Sequence, residues 1–232
     1  MARLTTIGFD ADDTLWQNEE FYRLTEAQFA ALLADHASEE TISSELMKIN
    51  LRNLEFYGFG IKSFTLSMIE TALTITGGNV PTRVISEILA AGRELMTHPV
   101  EPLPHAVSAL EAVRDNYRIV LVTKGDLLDQ ERKLAQSGLG DYFDGVEIVS
   151  AKTVETYHAV FARHGDGPEH GMMVGNSLKS DVVPAIEAGA WGVFVPHDLT
   201  WAAEHADAPS GHPRFHEIPH LGDLPPLLDR LQ

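Results

Sequence analysis

Three acids crowd the end of a short hydrophobic run near the amino terminus, in Ile7-Gly8-Phe9-Asp10-Ala11-Asp12-Asp13-Thr14-Leu15. Asp10 and Asp12 are two residues apart, so on an extended strand end they project to one side. Carboxylates this close resist joint ionisation unless a cation lies between them. Mg²⁺, which prefers carboxylate and carbonyl oxygens, would resolve that conflict. One carboxylate could then attack phosphorus while the other handles the leaving-group proton. The lesser reading of Asp-Asp-Thr is a plain N-capping turn ahead of a helix, since Asp and Thr are favoured caps.

Two later stretches have the same form, a buried strand running into glycine and polar residues. Ile119-Val120-Leu121-Val122-Thr123-Lys124-Gly125-Asp126 ends in a hydroxyl and a glycine turn, which suits phosphoryl oxygens but also describes an ordinary strand-to-helix turn. Met172-Met173-Val174-Gly175-Asn176-Ser177-Leu178-Lys179-Ser180-Asp181 ends in oxygen donors before a helix. Asp181 could be a ligand or a helix cap, and Pro184 fits the first helical turn. Lys152, in Ser150-Ala151-Lys152-Thr153, would by itself be read as a solvated surface charge.

These residues need a scaffold that delivers them to one place. Five β-type segments, Thr5–Asp10, Arg118–Thr123, Val146–Val149, Met172–Gly175 and Gly192–Val195, alternate with helical stretches such as Ala106–Tyr117, Asp129–Ser137, Val154–His164 and Asp181–Ala188. Such alternation predicts an α/β fold, a doubly wound parallel sheet covered on both faces. In that fold ligands sit at the carboxyl ends of the strands, where Asp10, Thr123 and Gly175-Asn176 fall.

Between the first two strands lie about a hundred residues without a convincing strand but with helical periodicity. The apolar sets are Phe21, Leu24, Ala31 and Leu32; Ile42, Leu46, Ile49 and Phe56; Phe64, Met68, Ala72 and Ile75; and Val84, Ile85, Ile88 and Leu95. They predict an inserted bundle of about four helices over 17–96, leaving 1–16 and 97–232 for the sheet domain. Trp16-Gln17-Asn18 and Thr97–Pro104 would be the hinges. The turn Tyr57–Lys62 could carry Lys62 to an anionic group or simply join two helices. The stretch His197–Pro213 reads as an irregular surface loop before a final helix near Leu224–Leu231.

Bulk composition narrows the classes. The net charge of −17 argues against nonspecific binding to nucleic acid or to an anionic membrane. It also requires that any phosphate site bring its own positive charge. There is no cysteine, hence no disulfide frame or thiolate nucleophile. No apolar run approaches a membrane span and no signal-peptide pattern opens the chain, so a cytoplasmic protein is expected.

Taken in order, Asp-x-Asp, Thr, Lys and Gly-Asn-Ser-x-x-x-Asp each stand at or just after a β segment. Together they resemble the four motifs of the haloacid dehalogenase (HAD) superfamily, in the helical-cap, phosphoglycolate phosphatase-like branch, over about residues 5–195. The resemblance implies a Rossmann-like core with an inserted helical cap, and a Mg²⁺-dependent phosphatase acting on a small phosphorylated metabolite as a monomer or homodimer. It makes Asp10 the nucleophile and Asp12 the acid and base, with Lys152 balancing charge between Asp10 and the phosphoryl group. Thr123, the Lys124 N–H and Ala11 would bind phosphoryl oxygens. Asp10, Asp12 (through its carbonyl), Asn176 and Asp181 (directly or through water) would hold the metal.

Position 12 separates reaction classes: family members that displace halide lack this second Asp, so a phosphate ester is favoured. Asn176 departs from the family pattern, which usually has Asp there, and brings an amide oxygen without charge. A sugar-phosphate mutase would share every core residue, and a noncatalytic phosphate-binding member would share the fold.

Overall fold

The computed structural model describes residues 3–231. In chain order the elements are β1 (Thr6–Phe9), α1 (Glu19–Leu32), α2 (Glu39–Tyr57), α3 (Ile61–Ile75), α4 (Thr82–Thr97), α5 (Ala106–Val113), β2 (Arg118–Lys124), α6 (Leu127–Ser137), β3 (Gly145–Val149), α7 (Val154–His164), β4 (Gly171–Gly175), α8 (Val183–Glu187), β5 (Trp191–Phe194), β6 (Phe215–Glu217) and α9 (Leu224–Leu231). The chain forms two compact units. One comprises the chain up to Glu19, Val100–Lys124 and everything from Gln130 on; the other comprises Glu20–Pro99 with Gly125–Asp129.

The first unit is built on a six-stranded sheet in the order β3-β2-β1-β4-β5-β6, parallel throughout. Its strands are near-continuous apolar runs because both faces are covered. Alternate residues serve opposite faces. Ile7, Phe9, Ile119, Leu121, Met172 and Val174 belong to a core shared with α5 and α9. Val120, Val122 and Met173 pack with Tyr157, Val160 and Phe161 of α7 and Ala185 of α8. This is the doubly wound sheet expected from the alternation of strands and helices.

The sixth strand was not expected. Phe215-His216-Glu217 is too short to show alternation, and it is a strand only because it pairs with β5, Gly192 opposite Phe215. The helix expected over Asp181–Ala188 also differs. Residues Leu178–Val182 form one π-turn before α8 begins, with Ser177 as its N-cap. Such turns are common at functional sites.

The second unit is a bundle of α1–α4, whose core includes Phe29, Leu33, Ile42, Leu46, Phe64, Met68, Val84 and Ile88. The stripes of α3 and α4 follow the periodicity read from the sequence, and that of α2 follows it through Ile49, after which Asn53 is buried and Phe56 is exposed. Helix α1 is rotated from expectation: Leu24 is exposed, while Thr25, Phe29 and Ala30 are buried. Thr25 tolerates burial because its hydroxyl donates to the Phe21 carbonyl at 2.8 Å. Lys62 pairs with Asp126 at 3.2 Å within this unit. Among the described residues no helix is long and apolar enough to cross a membrane.

Candidate active site at the carboxyl ends of β1, β2 and β4

Sheet register brings the motif residues together. Phe9 lies opposite both Leu121 and Val174, so Asp10 leaves β1 beside Gly175, and its N–H donates to the Val174 carbonyl at 2.9 Å. The order of strands reverses here, β2 on one side of β1 and β4 on the other, the place where open α/β sheets bind ligands.

The buried Asp10 carboxylate is held at both oxygens. Thr14 Oγ1 donates to Oδ2 at 2.9 Å, and the Lys152 ammonium binds Oδ1. Lys152 also donates to Asp181 Oδ1 at 2.6 Å, and Ser177 N–H donates to Asp181 Oδ2 at 3.0 Å. Gly175 makes room for this arrangement. A Cβ there would stand 2.8 Å from the Asp181 Cβ and overlap its carboxylate. Burial pushes the Asp181 carboxyl up to about 7 and Asp10 adds to the rise, while Lys152 and Ser177 oppose it. Burial acts to lower Lys152, but Asp10 and Asp181 outweigh it and hold the ammonium above its ordinary range. Lys152 is therefore not a solvated charge; it is the cation of a buried triad.

Asn176 closes the oxygen cluster. Its side-chain amide places one terminal atom 3.1 Å from Asp10 Oδ2, 3.3 Å from the Asp12 carbonyl and 3.2 Å from Thr14 Oγ1. With nitrogen at that atom the amide donates to these acceptors. With oxygen there, a cation must separate them. Oxygens sharing one Mg²⁺ at about 2.1 Å stand about 3 Å apart, so the spacing and the hard-oxygen donor set fit that ion. Among the described residues no three His, Cys, Asp or Glu side chains gather as a metal cage; the donors here are one carboxylate, one carbonyl and one amide. Asp181 accepts from Lys152 at one oxygen and from Ser177 at the other, and Lys152 links its charge to Asp10.

The three neighbouring acids divide their work. Asp13 does what a capping turn requires: its carboxylate accepts from Asn18 N–H at 2.8 Å and from Glu19 N–H at 3.0 Å at the start of α1. It adopts φ 62°, uncommon outside glycine. Asp12 contributes its carbonyl to the cluster, while its carboxylate turns to Trp16, Gln130 and Lys133. Burial works to raise the Asp12 carboxyl, but Lys133, then Gln130 and Trp16, outweigh it and hold it low.

Thr123 is buried at the end of β2 and Ala11 is buried between the two acids. The Lys124 side chain pairs with Glu204, from the stretch read as a surface loop. Glu204 also accepts from Ser177 Oγ at 2.6 Å and Ser180 Oγ at 2.5 Å. Burial acts to raise the Glu204 carboxyl, yet Lys124 and the two hydroxyls pull it down to about 2. Its stabilising effect is therefore full above the ordinary carboxylate range and fades as pH falls from about 4.5 towards 2. Glu204→Gln is expected to cost on the order of 2 kcal/mol at pH 7. In urea unfolding, that gap should shrink as pH drops below 4; a gap independent of pH would contradict the pairing.

Thr14, Ser177, Gln130, Lys133 and Glu204 were not singled out as site residues in the sequence. Thr14 had a local signal, since it sits four residues after Asp10 in the same turn.

The chain belongs to the haloacid dehalogenase-like hydrolases, whose family model matches residues 4–189. The crystal structure of a haloacid dehalogenase-like family hydrolase from Xanthomonas campestris is 38% identical, covers 100% of this chain and 95% of that one, and superposes with a TM-score of 0.88. Pyrimidine 5'-nucleotidase YjjG of Escherichia coli (strain K12) is 27% identical, with 96% of each chain covered. Glyceraldehyde 3-phosphate phosphatase of Methanothermobacter thermautotrophicus is 25% identical over 86% of this chain and 88% of its own.

Proposed function

We propose that this hydrolase is a Mg²⁺-dependent phosphatase of small phosphomonoesters that works through an aspartyl-phosphate on Asp10. The observation that carries the reading is the Asp10 carboxylate, fixed at one oxygen by Lys152 and at the other by Thr14, beside the Asn176 and Asp12 oxygen cluster. The names of the Escherichia coli and Methanothermobacter relatives both describe hydrolysis of phosphate esters, which supports the same class here.

In the first step an Asp10 oxygen attacks phosphorus and the ester P–O bond breaks. Asp12, ionised where Lys133 holds it, takes up a proton before giving one to the leaving alkoxide, and the water step returns that proton. In the second, water attacks the aspartyl-phosphate, its proton passes to Asp12, and inorganic phosphate leaves with the Asp10 carboxylate restored. Lys152 offsets the charge between Asp10 and the phosphoryl group, and Thr123, Lys124 N–H and Ala11 hold phosphoryl oxygens. Asp10, the Asp12 carbonyl and Asn176, with Asp181 directly or through water, would hold Mg²⁺, which would neutralise charge on the phosphoryl oxygens. Most of the rate in such a site comes from positioning and preorganised charge.

A panel of nucleoside monophosphates, triose phosphates and short phospho-acids, assayed for free phosphate with and without Mg²⁺, tests the reading. Phosphate release that needs Mg²⁺ is expected with at least one class. Isomerisation of a sugar phosphate with no phosphate released would overturn it.

The neutral Asn176 makes a quantitative prediction. Asn176→Asp adds a negative charge beside the ion and is expected to lower the Mg²⁺ concentration for half-maximal activity about tenfold, with a lower maximal rate. A Mg²⁺ titration at fixed ionic strength measures both. An unchanged midpoint would take Asn176 out of the ligand set.

A further inference from the structure

One carboxylate in this site is far more tightly held than proton transfer alone requires. Trp16 Nε1 donates to Asp12 Oδ1 at 2.7 Å and Gln130 Nε2 donates to Oδ2 at 2.8 Å. Lys133 Nζ spans both oxygens, at 2.7 and 2.9 Å, and also donates to Asn18 Oδ1 at 2.9 Å. Gln130 and Lys133 are three residues apart on one face of α6 and both are buried. The Gln130 amide is itself oriented, since the same Nε2 donates to the Lys124 carbonyl at 3.1 Å. Asn18 is held in turn, its N–H bound to Asp13.

We propose that Lys133 is a positioning residue for Asp12, setting where its carboxylate stands and tying that place to Asn18 in the segment leading into α1. The proposal rests on the phosphatase reading, in which Asp12 moves the leaving-group proton. Asp12 has a short side chain, and its backbone carbonyl is already committed to the cluster with Asp10 and Asn176. Its carboxylate can therefore move only by rotation about its own side-chain bonds. Trp16 and Gln130 each bind one oxygen; Lys133 alone binds both and so fixes the plane of the group. Proton transfer depends steeply on reach and direction, so the residue that fixes that plane should govern acid catalysis while leaving phosphate and metal binding alone. Because the same ammonium holds Asn18, a shift of this segment would reach Asp12 through one shared donor.

The alternative is that Lys133 only neutralises a buried acid. Both roles act through Asp12 and depend on the leaving group; they part in Lys133→Arg, which keeps the charge and changes the donor geometry. Formation of the aspartyl-phosphate from p-nitrophenyl phosphate needs little proton donation; from an alkyl phosphate it needs a full one. In full-length protein with saturating Mg²⁺, Lys133→Met is expected to lower kcat/KM for an alkyl phosphate on the order of 100-fold, and for p-nitrophenyl phosphate less than about fivefold. Adding Lys133→Met to Asp12→Ala should cost no more than about twofold further with either ester. Lys133→Arg should share the loss with the alkyl phosphate, and it carries the comparison if Lys133→Met does not fold. An Arg variant with wild-type activity on both esters would leave Lys133 a neutralising charge only and overturn the positioning role. Equal losses with both esters, or a further large loss in the Asp12→Ala background, would overturn the positioning role. A wild type that turns over neither ester would instead overturn the phosphatase reading.

Discussion

Asp10→Asn is expected to lose turnover by at least on the order of 10⁴-fold while remaining folded. An amide has no anionic oxygen to attack phosphorus, and no neighbour can substitute. Asp12 is turned towards Lys133 and Gln130, and Asp181 is occupied by Lys152 and Ser177. The fold should survive because the amide oxygen can still accept from Thr14 or from Lys152, and Lys152 keeps Asp181 as its charged partner. Loss of stability should stay within about 1–2 kcal/mol. The measurement is steady-state phosphate release on protein shown by circular dichroism to be folded and by mass spectrometry to be free of deamidation. Activity within tenfold of wild type would remove Asp10 from the nucleophile's place.

Lys152→Met should damage both stability and activity. It leaves Asp10 and Asp181 as buried neighbours with no cation between them. Removing one partner of a buried pair commonly costs about 3–5 kcal/mol, and that is the expected loss near pH 8. The loss should depend on pH with a definite sign. Asp181 already stands at about 7 with Lys152 present, and without that ammonium it moves higher. An acid raised in the folded state loses stability as pH rises past its unfolded value, but up to about 7 this affects both proteins alike. The gap between them opens above about 7, where Asp181 ionises in the wild type and stays protonated in the variant. Urea unfolding at pH 5 and pH 8 should give a clearly smaller gap from wild type at pH 5. Activity should fall on the order of 10²–10³-fold, since the charge beside the phosphoryl group is lost. A gap that is the same at both pH values would mean that the triad is not electrostatically coupled.

How much of this could be read without coordinates follows from the range of each interaction. The parallel sheet and the strand ends bearing Asp10, Thr123 and Gly175 were legible because an apolar run ending in polar residues is a local pattern. The inserted helices were legible for the same reason, except at α1 and at the end of α2, where Phe56 is exposed. In α1 Thr25, polar in type, takes a core position by bonding its own helix, and the stripe inferred from Leu24 is displaced. The three acids looked alike in sequence. Only structure separates Asp13, which binds N–H groups five and six residues on, from Asp12, whose partners on α6 lie 118 and 121 residues away. A trace of that pairing was present: Gln130 and Lys133 sit on the face of α6 where apolar residues belong. Glu204 left no such trace, because an acid in an irregular stretch signals nothing until Lys124, 80 residues earlier, is beside it. The strand Phe215–Glu217 exists only through its neighbour.

The central claim is that phosphorus becomes bonded to Asp10, and the most direct test is to trap that bond. Protein mixed with p-nitrophenyl phosphate and Mg²⁺ would be quenched in acid within milliseconds, reduced with borohydride and digested. Reduction converts an acyl-phosphate to the alcohol, so the peptide carrying Ile7–Leu15 should show homoserine at position 10, and only when substrate was present. Asp12→Ala should raise the trapped fraction, because the water that releases phosphate has lost its base. Label found on Asp12, on Asp181 or on no residue during active turnover would contradict the account.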